Sequence, residues 1–309
     1  MHRFMKNTSN MDNPYFLMGM LLFFWGSFAA VSKLTLGKLD SMQILFYMFG
    51  CAILIMTVIL FATGKYRELK SISFKDYAKL AAYGLPQFFY YFLYVLAITM
   101  LPTIEASAIN YLFPVFIVLF AVPIHGERLT VFKVVALVIG FAGVLVIITS
   151  GNIQSFKLTN LPGDIAALGG ALSWGLFSNL GKKNKRDTFL SNYVYTVTAF
   201  ILSTAGLLLL SGPVLPDAGG IAGIVWLCIS NIILTYYIWF RVLKIAPASL
   251  AANLSFLTPF ATLVFIIALT GEKILLSQIL GLVIIILGTA VQNERVVAKF
   301  HKWTNRQSV

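Results

Sequence analysis

Two prolines, and the polar residues four positions before them, carry the first chemical signal in this sequence. Pro114 and Pro259 sit inside apolar stretches long enough to be helices, with Asn110 and Ser255 upstream. A proline has no N–H for the carbonyl at i−4, so each releases an acceptor beside a side chain that is itself polar. Asn253 adds an amide to the Ser255 segment. Two other segments carry aromatic groups with polar tips one turn apart: Tyr91 and Tyr94, and Tyr236 and Trp239. Trp25 and Trp174 stand on two more. The chemistry on offer is reversible binding, with hydrogen bonds to a solute between aromatic walls. The same tyrosines also suit an aromatic belt at a lipid interface. Nothing comparable exists for catalysis. His2, His125 and His301 are scattered, and Cys51 and Cys228 lie in apolar stretches without a CxxC. Neither an enzyme, a metal centre, a cofactor nor a disulfide framework is expected. Glu105 is an acid within a helical stretch, close to its start. It can help cap that helix, or it can titrate as a coupling group.

The elements that must hold these residues are membrane helices. The chain is 59% hydrophobic and 11% charged, with a mean hydropathy of +0.87, whereas soluble domains carry about 25% charged residues. Apolar runs predict ten spans, at 14–33, 41–62, 77–100, 103–124, 130–149, 163–181, 189–210, 219–243, 248–270 and 275–293. The net charge of +12 does not imply nucleic acid. Its Lys and Arg sit in short loops and termini, as positive-inside bias requires. With the N-terminus inside, all basic residues except Lys33, Lys38, Lys157 and Lys273 fall on the cytoplasmic side. Both termini are therefore expected in the cytoplasm, the second as a basic tail at 294–309.

The chain is also duplicated. Pro102, Pro114, Gly126, Glu127 and Gly143 recur 145 residues later as Pro247, Pro259, Gly271, Glu272 and Gly288. On this register Tyr91 pairs with Tyr236, Tyr94 with Trp239, and Asn110 with Ser255. Trp25-Gly26 and Phe28 return as Trp174-Gly175 and Phe177 at an offset of 149. Two units, 14–149 and 163–293, each hold five spans, so the second enters the bilayer from the opposite side. Inverted repeats of this kind build secondary transporters, with the site at the midplane between the halves. Glu127 and Glu272 read as helix caps. Lys182, Arg241 and Lys244 read as snorkelling residues at helix ends, and Asn231 as an amide needing a partner.

These motifs resemble the drug/metabolite transporter superfamily, in its ten-span EamA-type members. The likeness rests on Phe24-Trp25-Gly26-Ser27 and Ser173-Trp174-Gly175-Leu176. It rests also on the segments from Ala106 to Pro114 and from Ala251 to Pro259, and on the two Gly-Glu pairs. It implies an all-α bundle of ten transmembrane helices around a central cavity, lined by the third, fourth, eighth and ninth helices with the first and sixth. The loop Lys182-Lys183-Asn184-Lys185-Arg186 is similar to that of amino-acid exporters in the family. The expectation is a multi-pass transporter of a bacterial inner membrane. It would move small amphipathic metabolites such as amino acids, export being favoured over import. Its partners would be a small-molecule substrate and the lipid bilayer. Monomer and homodimer both remain open.

Overall fold

Most of the long apolar runs begin at a residue that can satisfy the first helical N–H groups, which no lipid would do. Asp40 accepts from the N–H groups of Met42 and Gln43 while the Gln43 side chain accepts from the Asp40 N–H. Ser73, Thr130, Asn160, Asp187 and Asp217 play the single-sided version of this role. The computed structural model describes residues 13–35, 39–270 and 274–291. Its helices are α1 (Pro14–Thr35), α2 (Ser41–Ala62), α3 (Tyr66–Lys70), α4 (Phe74–Met100), α5 (Thr103–Asn110), α6 (Phe113–His125) and α7 (Val131–Ile148). They continue with α8 (Leu161–Lys183), α9 (Thr188–Leu210), α10 (Ala218–Cys228), α11 (Thr235–Ile245), α12 (Ala248–Ser255), α13 (Thr258–Thr270) and α14 (Leu276–Val291). The expected tail at 294–309, the Gly271-Glu272 pair, Lys38, His2 and His301 lie outside the described residues.

The protein is an all-helical membrane protein. Among the described residues, seven stretches are long and apolar enough to cross a bilayer, and Pro14–Phe28 and Leu276–Val291 are shorter apolar helices. The 23-residue α8 is diluted by Gly, Ser and Asn and packs against α4 and α6.

Three expected spans are not continuous α-helices. The fourth breaks at 111–112 into α5 and α6, and the ninth at 256–257 into α12 and α13. Pro114 and Pro259 fall in the first turn of the second pieces, where a missing N–H costs little. The eighth passes through a π-helical turn, Ile229–Leu234, between α10 and α11. Its register partner in α4 carries Pro86, which matches Asn231 at the 145-residue offset. The two copies thus depart from a regular helix at one place in different ways, one by a proline inside a continuous helix and the other by a π turn.

Contacts sort the helix ends into two sets. Lys65 pairs with Asp187, Arg186 with Asp76, Lys182 with Glu127, and Lys244 donates to Thr188. These mark an ion-paired end. At the other end Gln43 donates to the Gly212 carbonyl, Tyr47 to that of Val214, and Ser277 to that of Ser150. The two repeats meet along α7 and α14, which cross antiparallel. A Cβ on Gly143 would stand 2.7 Å from the Gly281 carbonyl oxygen, and one on Gly288 would stand 3.0 Å from that of Ala136. The repeat register exchanges these two contacts. It also exchanges the close approach of Gly26 to Ala261 with that of Gly175 to Phe116. A two-fold axis between antiparallel helices produces this pattern.

Backbone cannot yield at such a crossing as a side chain can. Gly281→Leu is therefore expected to lower the melting temperature by several degrees, since overpacking costs about 1–3 kcal/mol. Gly281→Ala should do less, and a thermal melt of both in detergent checks it.

Candidate functional site

Where the helices are interrupted, polar and aromatic side chains gather around a cavity of about 240 Å³. It begins mid-bundle and runs toward the end opposite the ion pairs. Along α4 its wall is formed by Tyr90, Tyr91, Tyr94, Val95 and Ile98, climbing toward Met100. Asn110 ends α5 just before the break and faces the cavity with Ser107. Trp25 from α1 and Trp174 from α8 close its floor, their ring centroids 5.9 Å apart. Asn231, on the π turn, and Thr258 and Thr262, on α13, complete the polar lining. No charged side chain lines it among the described residues.

Asn110 is the sharpest polar feature. It is 5% exposed, and its Oδ1 has no hydrogen-bond partner among the described residues. The Tyr90 hydroxyl lies beside its amide. The second half handles the same problem internally. The Ser255 carbonyl, released by Pro259, accepts from the Thr258 hydroxyl at 2.7 Å, and the Ser255 hydroxyl turns back onto the Ala252 carbonyl at 2.6 Å. Phe113 occupies the place of Thr258 in the first half, so no hydroxyl is available there.

The structure thus brings Asn110, Tyr91, Tyr94, Trp25 and Trp174 together, and Asn231 with them. It does not bring Ser255, Asn253, Tyr236 or Trp239 to the cavity surface. Asn253 donates to the Ser249 carbonyl on its own helix. Tyr236 lies behind the wall, its hydroxyl donating to that of Tyr91 at 3.2 Å. Trp239 packs against Trp25 and Trp174 at 5.3 and 6.2 Å and donates to the Ser178 hydroxyl. The reason is an asymmetry between the halves. Tyr90, Tyr91, Tyr94, Val95 and Ile98 have the register partners Thr235, Tyr236, Trp239, Phe240 and Leu243, each at most 2% exposed. One copy of the surface is open, and the other is packed shut. Tyr111, Thr258 and Thr262 were not among the expected site residues. The break at 111–112, which turns Tyr111 inward, has no signal in sequence beyond Pro114.

Glu105 stands apart from the aromatic cavity. It is 2% exposed and does not cap its own helix: its oxygens accept from the N–H and hydroxyl of Thr159, at 2.6 and 2.7 Å. It borders a separate cleft of about 470 Å³ with Lys157 and Gln154.

Glu127 is a cap, but of a distant helix. It accepts from Lys182 and from the Ala248 N–H at the start of α12, with Lys133 3.9 Å away. Lys182 therefore makes an ion pair instead of snorkelling, and Lys244 bonds to Thr188. Burial pushes the Glu127 carboxyl up, but Lys182, the Ala248 N–H and Lys133 outweigh it and hold the group below its usual range. A depressed folded value stabilises the fold above the unfolded carboxylate pKa, about 4.3, and that contribution is lost as pH falls through the folded value. Glu127→Gln should melt lower than the parent at neutral pH, with the gap closing on acidification below about pH 4. Melting curves across pH 3–8 check this.

Comparisons with known proteins agree with the architecture. The sequence model of a family described as EamA-like transporter family matches residues 13–149 and 161–293. An uncharacterised transporter of Bacillus subtilis, YyaM, is 26% identical over 284 residues, spanning 89% of this chain and 92% of the relative. The aromatic amino acid exporter YddG of Ancylobacter novellus is 30% identical over 189 residues, spanning 59% of this chain and 64% of the exporter. A crystal structure with 21% identity superposes with a TM-score of 0.80, covering 92% of this chain and 98% of its own, a likeness of fold.

Proposed function

Since the chain belongs to the EamA-like transporter family, we propose that it is a secondary transporter of small amphipathic metabolites, amino acids first among them, working by alternating access. The observation that carries this reading is the open cavity beside its packed-shut counterpart. Two copies of one surface in opposite states are what a carrier needs to expose a site to each side in turn. Ten spans, arranged as two inverted five-helix repeats, fit the alternation of helix ends and the exchanged glycine contacts. The ion-paired end is rich in Lys and Arg and is assigned to the cytoplasm of a bacterial cell, with both termini. The cavity then faces outward.

The lining selects the solute class. Aromatic walls and neutral amide and hydroxyl groups suit a solute with an apolar body and a neutral or zwitterionic head. The volume of about 240 Å³ is below the roughly 300–1,000 Å³ of drug-sized sites, which favours a metabolite over a bulky drug. The likeness to an aromatic amino acid exporter supports aromatic amino acids and export. Asn110 would bond the head group, while Tyr91, Tyr94, Trp25 and Trp174 would hold the body. Asn253, Ser255, Tyr236 and Trp239 would take over when the other side opens. Glu105 remains a candidate for coupling at the outer end. The test is counterflow of labelled phenylalanine, tyrosine and tryptophan into proteoliposomes preloaded with the unlabelled compound. Accumulation above empty liposomes is expected. Exchange absent for these and for the remaining amino acids would remove the substrate assignment. Labelling of Lys65 and Lys157 from opposite faces is expected in the same vesicles.

A further inference from the structure

Buried hydrogen-bonding groups normally find partners, because leaving one unpaired costs about 1–3 kcal/mol. The closed half of this protein holds several such groups in one neighbourhood. Gln87 is fully buried, and neither its Nε2 nor its Oε1 makes a hydrogen bond among the described residues, although it lies beside the Tyr236 hydroxyl. Thr235, the residue just before Tyr236, is fully buried with its Oγ1 unpaired. Asn192, 2% exposed, donates through Nδ2 to the Ile232 carbonyl of the π turn at 3.1 Å and leaves Oδ1 unpaired. All three adjoin or belong to residues 232–236, from α4, from α9 and from the start of α11. Residues 232, 235 and 236 share one helical face.

The repeat says what this neighbourhood is. Thr235 is the register partner of Tyr90, which lines the open cavity beside Asn110. Tyr91 and Tyr236 are partners too, and their hydroxyl–hydroxyl bond of 3.2 Å is the partition between the two places. On one side of it, unpaired Asn110 Oδ1 faces the open cavity. On the other are the unpaired oxygens of Gln87, Thr235 and Asn192, all but closed off from solvent.

We infer that Gln87, Asn192 and Thr235 form a second, latent binding station for a solute carrying an N–H donor group such as an amine, occupied when the cavity opens at the ion-paired end. Resting on the transport reading above, it adds a site on the path. The solute's amine passes from the Asn110 oxygen to the three oxygens beyond the Tyr91–Tyr236 bond. Buried polar groups retained in a membrane bundle fit such a path. Their cost is met in one state and relieved in the other.

The test uses Gln87→Leu and Thr235→Val, near-isosteric changes that remove unpaired atoms and so should not unfold the chain. Phenylalanine is the probe. Its binding to the outward cavity, read by thermal shift, is expected to stay within threefold, while counterflow falls more than tenfold. Counterflow at the parent rate, with raised melting temperatures, would show that these groups are packing defects and overturn the station. If the parent itself exchanges no phenylalanine, the substrate assignment falls, and the station is judged by accessibility instead. Thr235→Cys, in a chain with Cys51→Ser and Cys228→Ser, should react with a membrane-impermeant maleimide from the Lys65 face. Failure to react from either face overturns the inference.

Discussion

Asn110→Ala is expected to reduce exchange at least tenfold while leaving the melting temperature within a few degrees of the parent. The side chain is almost wholly buried, yet its Oδ1 is unpaired among the described residues and faces the cavity. A hydrogen bond to a charged head group is worth about 1.5–3 kcal/mol, and each 1.4 kcal/mol is tenfold in affinity. Removing an amide that bonds little within the fold should cost the fold little. The loss should appear first as weaker binding, read as a tenfold rise in the half-maximal concentration for thermal stabilisation. Asn110→Asp separates the roles further, because it keeps the acceptor and adds a charge. Parent rates in Asn110→Ala would mean that the polar end of the solute is held elsewhere.

Trp174→Ala should be the most damaging single change. The ring touches Trp25, Tyr90, Phe113, Phe177, Tyr236 and Trp239, with centroid separations from 4.9 to 6.3 Å. It is 4% exposed and forms the floor of the open cavity and the roof of the packed half. Deleting a buried tryptophan costs about 3–5 kcal/mol. Reduced yield, a melting temperature lowered by ten degrees or so and loss of exchange are the expected results. Trp174→Phe should restore most of the stability and only part of the exchange, because a smaller ring fills the core but leaves the floor leaky. Transport and thermal melts on both variants check it. Full exchange in Trp174→Ala would place the barrier between the two sides away from this ring.

What the sequence made legible was whatever the duplication preserves. The pairing of Asn110 with Ser255, of Tyr91 with Tyr236 and of Trp25 with Trp174 located the centre of the bundle, because residues on a symmetry axis meet their own copies. Trp25 does touch Trp174, and Tyr91 does touch Tyr236. The same symmetry concealed which copy lines a cavity: Tyr91 and Tyr94 line it, while their partners Tyr236 and Trp239 are fully buried. Breaks were legible only as prolines. Pro114 and Pro259 predict bends, but the interruption at 229–234 has no proline, and its Ile232 carbonyl accepts from Asn192 on another helix. Glu127 was recognisable as a cap from its loop position, while its true target, Ala248, lies 121 residues away and depends on tertiary contact.

Pro86, inside the continuous α4, and the π turn occupy one place in two copies, but they are built differently. A proline inside a helix lacks one backbone hydrogen bond permanently. The widened turn instead gains a bond from outside, its Ile232 carbonyl accepting from Asn192. Duplication therefore kept the position of this irregularity and let its construction diverge, one copy short of a bond and the other holding an extra one.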